Sequence, residues 1–391
     1  MPVINRIAAF HEDMIGWRQE IHRHPETAFE EHRTAELVAR QLEAFGISVD
    51  RGLAGTGVVG TLRAGSSDRA IALRADLDAL HIQEKNEFAH RSTVAGKMHA
   101  CGHDGHTTML LGAARYLAET RKFDGVVHFV FQPAEENEGG GRVMVEQGLF
   151  AKFPCEAVYG MHNWPGRPTG DFAIKAGPMM ASYDVFEIVV EGRGSHGAMP
   201  HQSIDPVVVA AQIVVALQTI VSRNVKPADA AVVSVTQIHG GDTWNVIPDE
   251  VVLRGTTRCF SREIRDQMQR RIDEIAGQVA AAFGARATTR YERRYPALVN
   301  DPDAVRRAVG VATEITGDAA RVETDCELVM GSEDFAFMLE AKPGAYIMIG
   351  NGGGEGGRML HNARYDFNDA ILPIGASYWA RLVETSLPAA K

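Results

Sequence analysis

Nine residues, Met98-His-Ala-Cys-Gly-His-Asp-Gly-His106, hold a thiol (Cys101), three imidazoles (His99, His103, His106) and a carboxylate (Asp104). Thiolate and imidazole are the donors a zinc-like divalent ion takes, and Cys-x-His is a spacing that can close on one metal centre. Gly102 and Gly105 permit the backbone to turn tightly enough for neighbouring side chains to converge. A surface histidine cluster or a redox thiol has the same composition, and Cys101 with His103 could also pair as nucleophile and base. The short spacing favours shared coordination over an attacking thiol. Further along, Glu135-Glu136 follows an apolar run and Pro133. Adjacent carboxylates are common on solvated faces. In a two-metal site, however, one can bind a cation while its neighbour takes a proton from the attacking water. His162 and His361, taken singly, fit a structural role as readily as a ligand role. The glycine-rich loop 350–357 before His361 matches neither the dinucleotide nor the P-loop pattern.

The elements that must position these side chains follow from periodicity. Helices are expected over 3–23 and 31–45, the second with Ala35, Val38, Leu42 and Phe45 on one face and Gly46 as its stop. Pro25 interrupts the chain between them. Short strands are expected at 57–62 and 70–74, then a helix from about Thr107 to Thr120 and buried strands at 126–131 and 157–161. This alternation predicts an α/β layer with a largely parallel sheet. Such sheets collect ligands at the C-terminal ends of their strands. Asp76 and Asp78, Glu135 and Glu136, and His162 all fall at such ends. From about Ala181 the rhythm becomes strand 183–191, helix 205–222, strands 230–239 and 251–260, helix 263–283, strand 287–294. That order is β-α-β-β-α-β, the ferredoxin-like unit. The expected organisation is a discontinuous α/β domain, 1–180 and 295–391, interrupted by an inserted α+β domain, 181–294. The remainder offers a helix at 302–316, a short helix opened by Gly331-Ser-Glu-Asp-Phe335, a strand at 345–349 and a last helix from about Asp369.

With 391 residues, 45% hydrophobic and 23% charged, the chain has the make-up of a soluble globular protein of about two domains. A net charge of −10 and the lack of any Lys/Arg run argue against a nucleic-acid partner. No apolar run of the ~18 residues a membrane span needs is evident, and the N-terminal stretch lacks the basic start and apolar core of a signal peptide. Cys101, Cys155, Cys259 and Cys326 show no disulfide-framework spacing, so reduced thiols in a cytoplasmic protein are expected.

Several motifs occur in one order: Leu73-Arg-Ala-Asp-Leu-Asp-Ala-Leu80, Met98 to His106, Gln132-Pro-Ala-Glu-Glu136, Met161-His-Asn163, Ser195-His-Gly-Ala-Met-Pro-His201, Asn245-Val-Ile-Pro248, Gly331 to Phe335 and Leu360-His-Asn362. Together they resemble the M20 metallopeptidases, specifically the amidohydrolase branch of hippurate hydrolases and indole-acetyl-amino-acid hydrolases. The likeness runs from His22-Arg-His-Pro-Glu26 to the last helix. It implies a zinc-peptidase-like catalytic domain and two divalent ions (zinc, manganese, cobalt or nickel) held by Cys101, His103, Glu136, His162 and His361. Cys101 would bridge them where other branches use an aspartate. Glu135 would be the general base and Asp78 its supporting acid. Asp76 stands where other branches place a metal-binding histidine, so only the Cys-containing form of the site fits. His81 replaces the branch's usual proline, a change that bears on the pocket wall.

By the same likeness the inserted domain makes a homodimer and acts as a lid. His196 would reach the partner's active site to stabilise the oxyanion, while Asn245 and Arg258 would hold the substrate's carboxylate. Without the likeness, Arg258 reads as a surface ion-pair former and His196 as a loop residue. The expectation is a cytoplasmic, binuclear metal-dependent amidohydrolase of N-acyl or N-aroyl amino acids. The alternatives are a metallo-dipeptidase or aminopeptidase on the same scaffold, or a catalytically silent binder of acylated amino acids.

Overall fold

The computed structural model describes residues 3–136, 138–353 and 357–389. Residues 354–356 of the glycine-rich loop lie outside them. The chain forms two compact units, one of Met1–Gly177, Val299–Glu327 and Asp334–Lys391, the other of Pro178–Leu298 and Leu328–Glu333.

The first unit is built on an eight-stranded sheet. Its order is Ser48–Leu53, Gly57–Ala64, Gly125–Gln132, Ala70–Asp76, Ala157–Pro165, Gly344–Gly352, Phe172–Ala173, Val322–Glu323. Parallel pairing is concentrated in the centre, where Gly125–Gln132, Ala70–Asp76, Ala157–Pro165 and Gly344–Gly352 run in one direction. The pairings that join Ser48–Leu53, Gly57–Ala64 and Phe172–Ala173 to the sheet are antiparallel. Except at Trp164, the central strands are buried along their length, as a parallel sheet covered on both faces requires. Helix His103–Thr120 packs on Ala70–Asp76, on His11–Arg23 and on the final helix Leu372–Ser386. Leu110, Ala113, Ala114 and Leu117, the face expected to point inward, are all in the core.

Local details depart from the periodic reading. The expected first helix is broken into Asn5–Ala8 and His11–Arg23. Helix His103–Thr120 starts four residues earlier than expected, so His103 and His106 stand on its first turn. Gly102 takes φ +94 at its N-cap and its carbonyl accepts from the Gly105 and His106 amides at 2.9 and 3.0 Å. A Cβ there would meet Asn163 Oδ1 at 2.3 Å. Gly105 is helical, and its lack of a side chain serves instead the close approach of the Phe367 ring, 2.2 Å from where a Cβ would sit. Strand Ser48–Leu53 and helix Gly140–Glu146 had no clear periodic signal.

The second unit carries an antiparallel sheet in the order Ala231–His239, Glu250–Cys259, Tyr183–Glu191, Arg286–Tyr295. Helices Pro206–Thr219 and Arg262–Ala282 pack on each other and on the sheet. The connectivity is the β-α-β-β-α-β order. Tyr183–Glu191 alternates strictly between buried and half-buried positions, so one face of the sheet meets the helices in a core that includes Phe186, Ile188, Val190, Ile213 and Ile272. Leu328–Glu333 returns to this unit, where Val329 donates to Met179 O at 3.0 Å and Ala181 donates back to Val329 O at 2.9 Å. Among the described residues one helix, Pro206–Asn224, is long and apolar enough to cross a membrane. This corrects the expectation that no stretch would qualify. Its Val209, Ala210, Ile213, Leu217 and Ile220 face this unit's core.

Candidate metal centre

Three parallel strands deliver the chemistry to one edge. Ala70–Asp76 ends on Asp76 with Asp78 two residues on. Gly125–Gln132 leads into Pro133 and the turn bearing Glu135 and Glu136. Ala157–Pro165 carries His162 near its C-terminal end. Helix His103–Thr120 contributes His103, and the loop before it Cys101. The Sγ of Cys101 lies 3.4 Å from His162 Nε2. Cys101, His103 and His162 can place one donor atom each within 4.8 Å of one another, and so can Cys101, Glu136 and His361. His103, Glu135 and Glu136 form a third such grouping. All five residues named as ligands from sequence are thus drawn into one region, with Glu135 beside them.

Whether a cation fits can be judged from the free donor atoms. His103 Nδ1 donates to the Asp78 carbonyl at 2.8 Å and His162 Nδ1 to the Asn163 carbonyl at 2.7 Å. Each ring then turns Nε2 toward the other donors, which is the usual orientation of a metal-bound histidine. His103 Nε2 is fully buried with no hydrogen-bond partner. Burial pushes the Cys101 thiol well above its ordinary value, and Glu136, Glu135 and Asp76 push it further. Burial alone would lower His103, yet Asp76, Asp78 and Glu136 override it and push it up to about 10. A buried pocket with this negative excess calls for positive charge. The donor set fits a divalent cation.

The neighbouring histidines and acids are already committed. His106 Nδ1 donates to Asp76 Oδ1 at 2.6 Å, and its Nε2 accepts from the Asn163 amide at 3.0 Å. Asp76 also takes Arg74 Nη1 at 2.6 Å. Although His103, His106 and Asp76 are close enough for a grouping of their own, only His103 keeps a free donor. His99 is buried and pushed down to about 4 by that burial, so it is neutral, and it joins no ligand grouping among the described residues.

The turn that aims the two glutamates is held from below. Asp78 accepts the Glu135 amide on Oδ1 at 3.0 Å and the Glu136 amide on Oδ2 at 2.9 Å. Ala134, just before them, sits at φ +54, a left-handed conformation that costs a non-glycine residue about 1–2 kcal/mol. Glu135 Oε1 in turn lies 3.4 Å from the Asp334 amide. His361 is likewise left-handed, φ +63. Its amide donates to the Ala100 carbonyl at 2.7 Å, and its half-exposed ring brings Nε2 to 3.1 Å from Glu136 Oε1.

Beneath the edge lies a closed ionic cluster that sequence reasoning did not single out. Arg74 reaches Asp76 at 2.6 Å, Asp334 at 2.9 Å and Gln132 at 2.8 Å, and Gln132 donates to both Asp334 oxygens at 2.8 Å. Glu31, adjacent to Glu30 in a polar run and not singled out from the sequence, is fully buried.

His196, Asn245 and Arg258 belong to the second unit. His196 pairs with Val246 in a two-stranded ribbon, Ser195–His196 against Val246–Ile247, and the Gly197 amide donates to Asn245 O at 2.7 Å. His196 and Asn245 therefore share one ribbon. Arg258, at the end of Glu250–Cys259, stacks over the Tyr183 ring at 4.4 Å. It is half-buried in the sheet rather than a free surface ion-pair former.

The peptidase family M20/M25/M40 matches residues 72–385. The chain belongs to this family. This M20 hydrolase is 43% identical over 369 residues to a hippurate hydrolase of Campylobacter jejuni, covering 93% of this chain and 94% of that one. It is 38% identical over 376 residues to an N-acetylcysteine deacetylase of Bacillus subtilis, covering 96% and 97%. Among solved structures, a dinuclear metal-binding peptidase of the M20 family from Bacillus subtilis superposes with a TM-score of 0.86 at 35% identity, over 98% of this chain and 100% of that one. The M20 hydrolase is thus of the amidohydrolase branch, with the fold that its motifs implied.

Proposed function

We propose that this M20 hydrolase is a binuclear metal-dependent amidohydrolase that cleaves the amide of N-acyl or N-aroyl amino acids to a carboxylic acid and a free amino acid. The observation that carries this reading is that Cys101 belongs to two ligand groupings at once, one with His103 and His162, the other with Glu136 and His361. Cys101 would thus stand within reach of both sets of donors, and a thiolate there would hold a zinc-like cation. Support for the substrate class comes from the names of the relatives, since hippurate and N-acetylcysteine are both N-acylated amino acids.

Two bound divalent ions (zinc, manganese, cobalt or nickel suit these ligands) would polarise the scissile carbonyl and acidify the attacking water. Glu135 takes the water's proton and passes it to the leaving amine nitrogen. Asp78 keeps Glu135 and Glu136 aimed by holding their amides. His196 Nδ1 accepts from the Ala198 amide at 3.0 Å, which puts the proton on Nε2, where a developing oxyanion can use it. Asn245 and Arg258 hold the substrate's carboxylate. The catalytic role falls to residues 1–180 and 295–391, and the lid role to 181–294.

The second unit would also make a homodimer. Helix Pro206–Thr219 exposes Val207, Val208 and Val215, a surface that a second copy could cover. Four unpaired, buried cysteines support a cytoplasmic location. The reading is tested with metal-loaded protein assayed on N-acetyl- and N-benzoyl-amino acids against unblocked dipeptides. Turnover of the blocked substrates is expected. Preference for free α-amines would favour a dipeptidase, and binding of acylated amino acids without turnover a silent binder. Cys101→Ala should lower the metal content measured by elemental analysis, and a wild-type metal content would remove Cys101 as a ligand.

A further inference from the structure

We propose that Glu31 is a positioning residue for the metal centre, holding the backbone turn that presents Glu135 and Glu136. The proposal rests on the binuclear amidohydrolase reading for the roles of those two residues. Glu31 occupies the N-cap position of helix His32–Ala44, where a carboxylate would normally bond its own helix. It makes no such bond. Glu26 does that work, accepting the Arg33 amide at 3.0 Å and the Thr34 amide at 2.9 Å.

The Glu31 carboxylate points instead into the protein, fully buried. Its Oε1 accepts the Ala134 amide at 2.9 Å and the Phe29 amide at 3.0 Å, and its Oε2 accepts the Thr56 hydroxyl at 2.6 Å. These partners have one feature in common. Ala134 and Phe29 are both non-glycine residues with positive φ, +54 and +60, and Thr56 closes a turn on Ala54, which has φ +51. Three left-handed turns therefore converge on one carboxylate. Such conformations persist only where the surroundings over-determine them.

Glu31 and Asp78 act in succession. The amides of Ala134, Glu135 and Glu136 go to Glu31 Oε1, Asp78 Oδ1 and Asp78 Oδ2 in order. Two buried acids thus hold three consecutive peptide groups, and with them the direction in which both glutamates leave the backbone. Glu31 touches no ligand donor atom in this arrangement and acts only through the turn. Burial, with the Asp78 charge adding to it and the Thr56 hydroxyl opposing, pushes Glu31 up to about 7.

The chemistry of each substitution separates positioning from mere filling of space. Glu31→Gln keeps an oxygen for the Ala134 and Phe29 amides, and its NH2 can donate to a rotated Thr56 hydroxyl. Glu31→Leu removes every acceptor. Glu31→Asp keeps the carboxyl group but shortens the arm by one methylene. Ala134→Gly relieves the left-handed strain at the turn itself.

The test measures kcat and KM on an N-acyl amino acid, zinc affinity of the metal-free protein by chelator competition, melting temperature, and hydrogen exchange of the Ala134 amide. We expect Glu31→Leu and Glu31→Asp to lose roughly 10–100-fold in kcat or in zinc affinity, the usual effect of losing an outer partner, at little-changed KM. The Ala134 amide should lose protection in both. Glu31→Gln should stay within about threefold of wild type on every readout, and adding Ala134→Gly to Glu31→Leu should restore part of the loss. Wild-type kcat and zinc affinity in folded Glu31→Asp would overturn the proposal. So would a loss in Glu31→Leu that Ala134→Gly leaves unrepaired while the Ala134 amide stays protected. If Glu31→Leu does not fold, Glu31→Asp against Glu31→Gln decides. Should the wild-type protein hydrolyse no acylated amino acid, the functional reading fails, while zinc affinity and amide exchange still judge Glu31.

Discussion

Two buried polar clusters lie at the same edge of the eight-stranded sheet and behave oppositely. Arg74, Asp76, Gln132, Asp334 and His106 close on themselves, with each carboxylate met by a cation or an amide. Burial would raise Asp76, but His103, Arg74 and His106 hold it well below the usual carboxylate range. A few ångströms away, Cys101, His103, Glu136, His162 and His361 bring together a thiol, imidazoles and a carboxylate with no arginine or lysine among them. The first cluster is a finished scaffold. The second keeps donor atoms that no such network ties down. Counting acids and histidines in the sequence cannot separate the two, because the difference is which donor atoms remain uncommitted.

Four experiments would sharpen or break that contrast. Glu135→Gln touches the open cluster without removing a ligand, so metal content should hold while kcat falls by about 10²–10⁴-fold. Near-full activity with wild-type metal content would remove Glu135 as the base. Arg74→Leu opens the closed cluster and strands Asp76 and Asp334 in the interior. Chemical denaturation should show a loss of about 3–5 kcal/mol, and an unaffected midpoint would mean that the cluster is not scaffold.

A third test uses pH. Burial opposes the charge on His22, but its hydrogen bonds to Asp104 at 2.8 Å and Glu84 at 3.2 Å prevail and push it up to about 9. A raised folded pKa means that protonated His22 stabilises the fold fully below about 6.5 and that this contribution fades as pH rises through about 9. Melting temperature should therefore decline over pH 6.5–9 more steeply in wild type than in His22→Asn, by an amount equivalent to roughly 3 kcal/mol at most. Equal slopes would show that His22 is neutral in the fold. The smallest effect is expected from Asp78→Asn, which offers one acceptor and one donor to two amides that each need an acceptor. Metal affinity should drop about 10–100-fold, and isothermal titration showing none would leave Asp78 without a supporting role.

The motif-bearing segments were readable from the sequence because each rests on short-range chemistry. Val126 to Phe131 and Ala157 to Met161 are apolar runs that read as buried strands, and Gln132-Pro-Ala-Glu-Glu136 places a carboxylate pair at a strand end. The alternation of Tyr183–Glu191 read as a strand. Helix boundaries were less readable. His103 joins the helix because Gly102 can adopt φ +94, a freedom that leaves no periodic mark.

What the amino-acid order determined alone is therefore the kind of chemistry and the family: thiol, imidazoles and paired acids at strand ends, in an order specific to M20. Tertiary structure decided which of those groups are free. His106 and Asp76 bond each other, and Arg74 also takes Asp76, whereas His103 Nε2 is left without a partner, and the Glu31 carboxylate is buried against the Ala134 amide. The physical reason is that a side chain's availability depends on partners contributed by segments far away in sequence, here Arg74, Asn163 and Ala134. No local pattern records those partners until the strands are laid side by side.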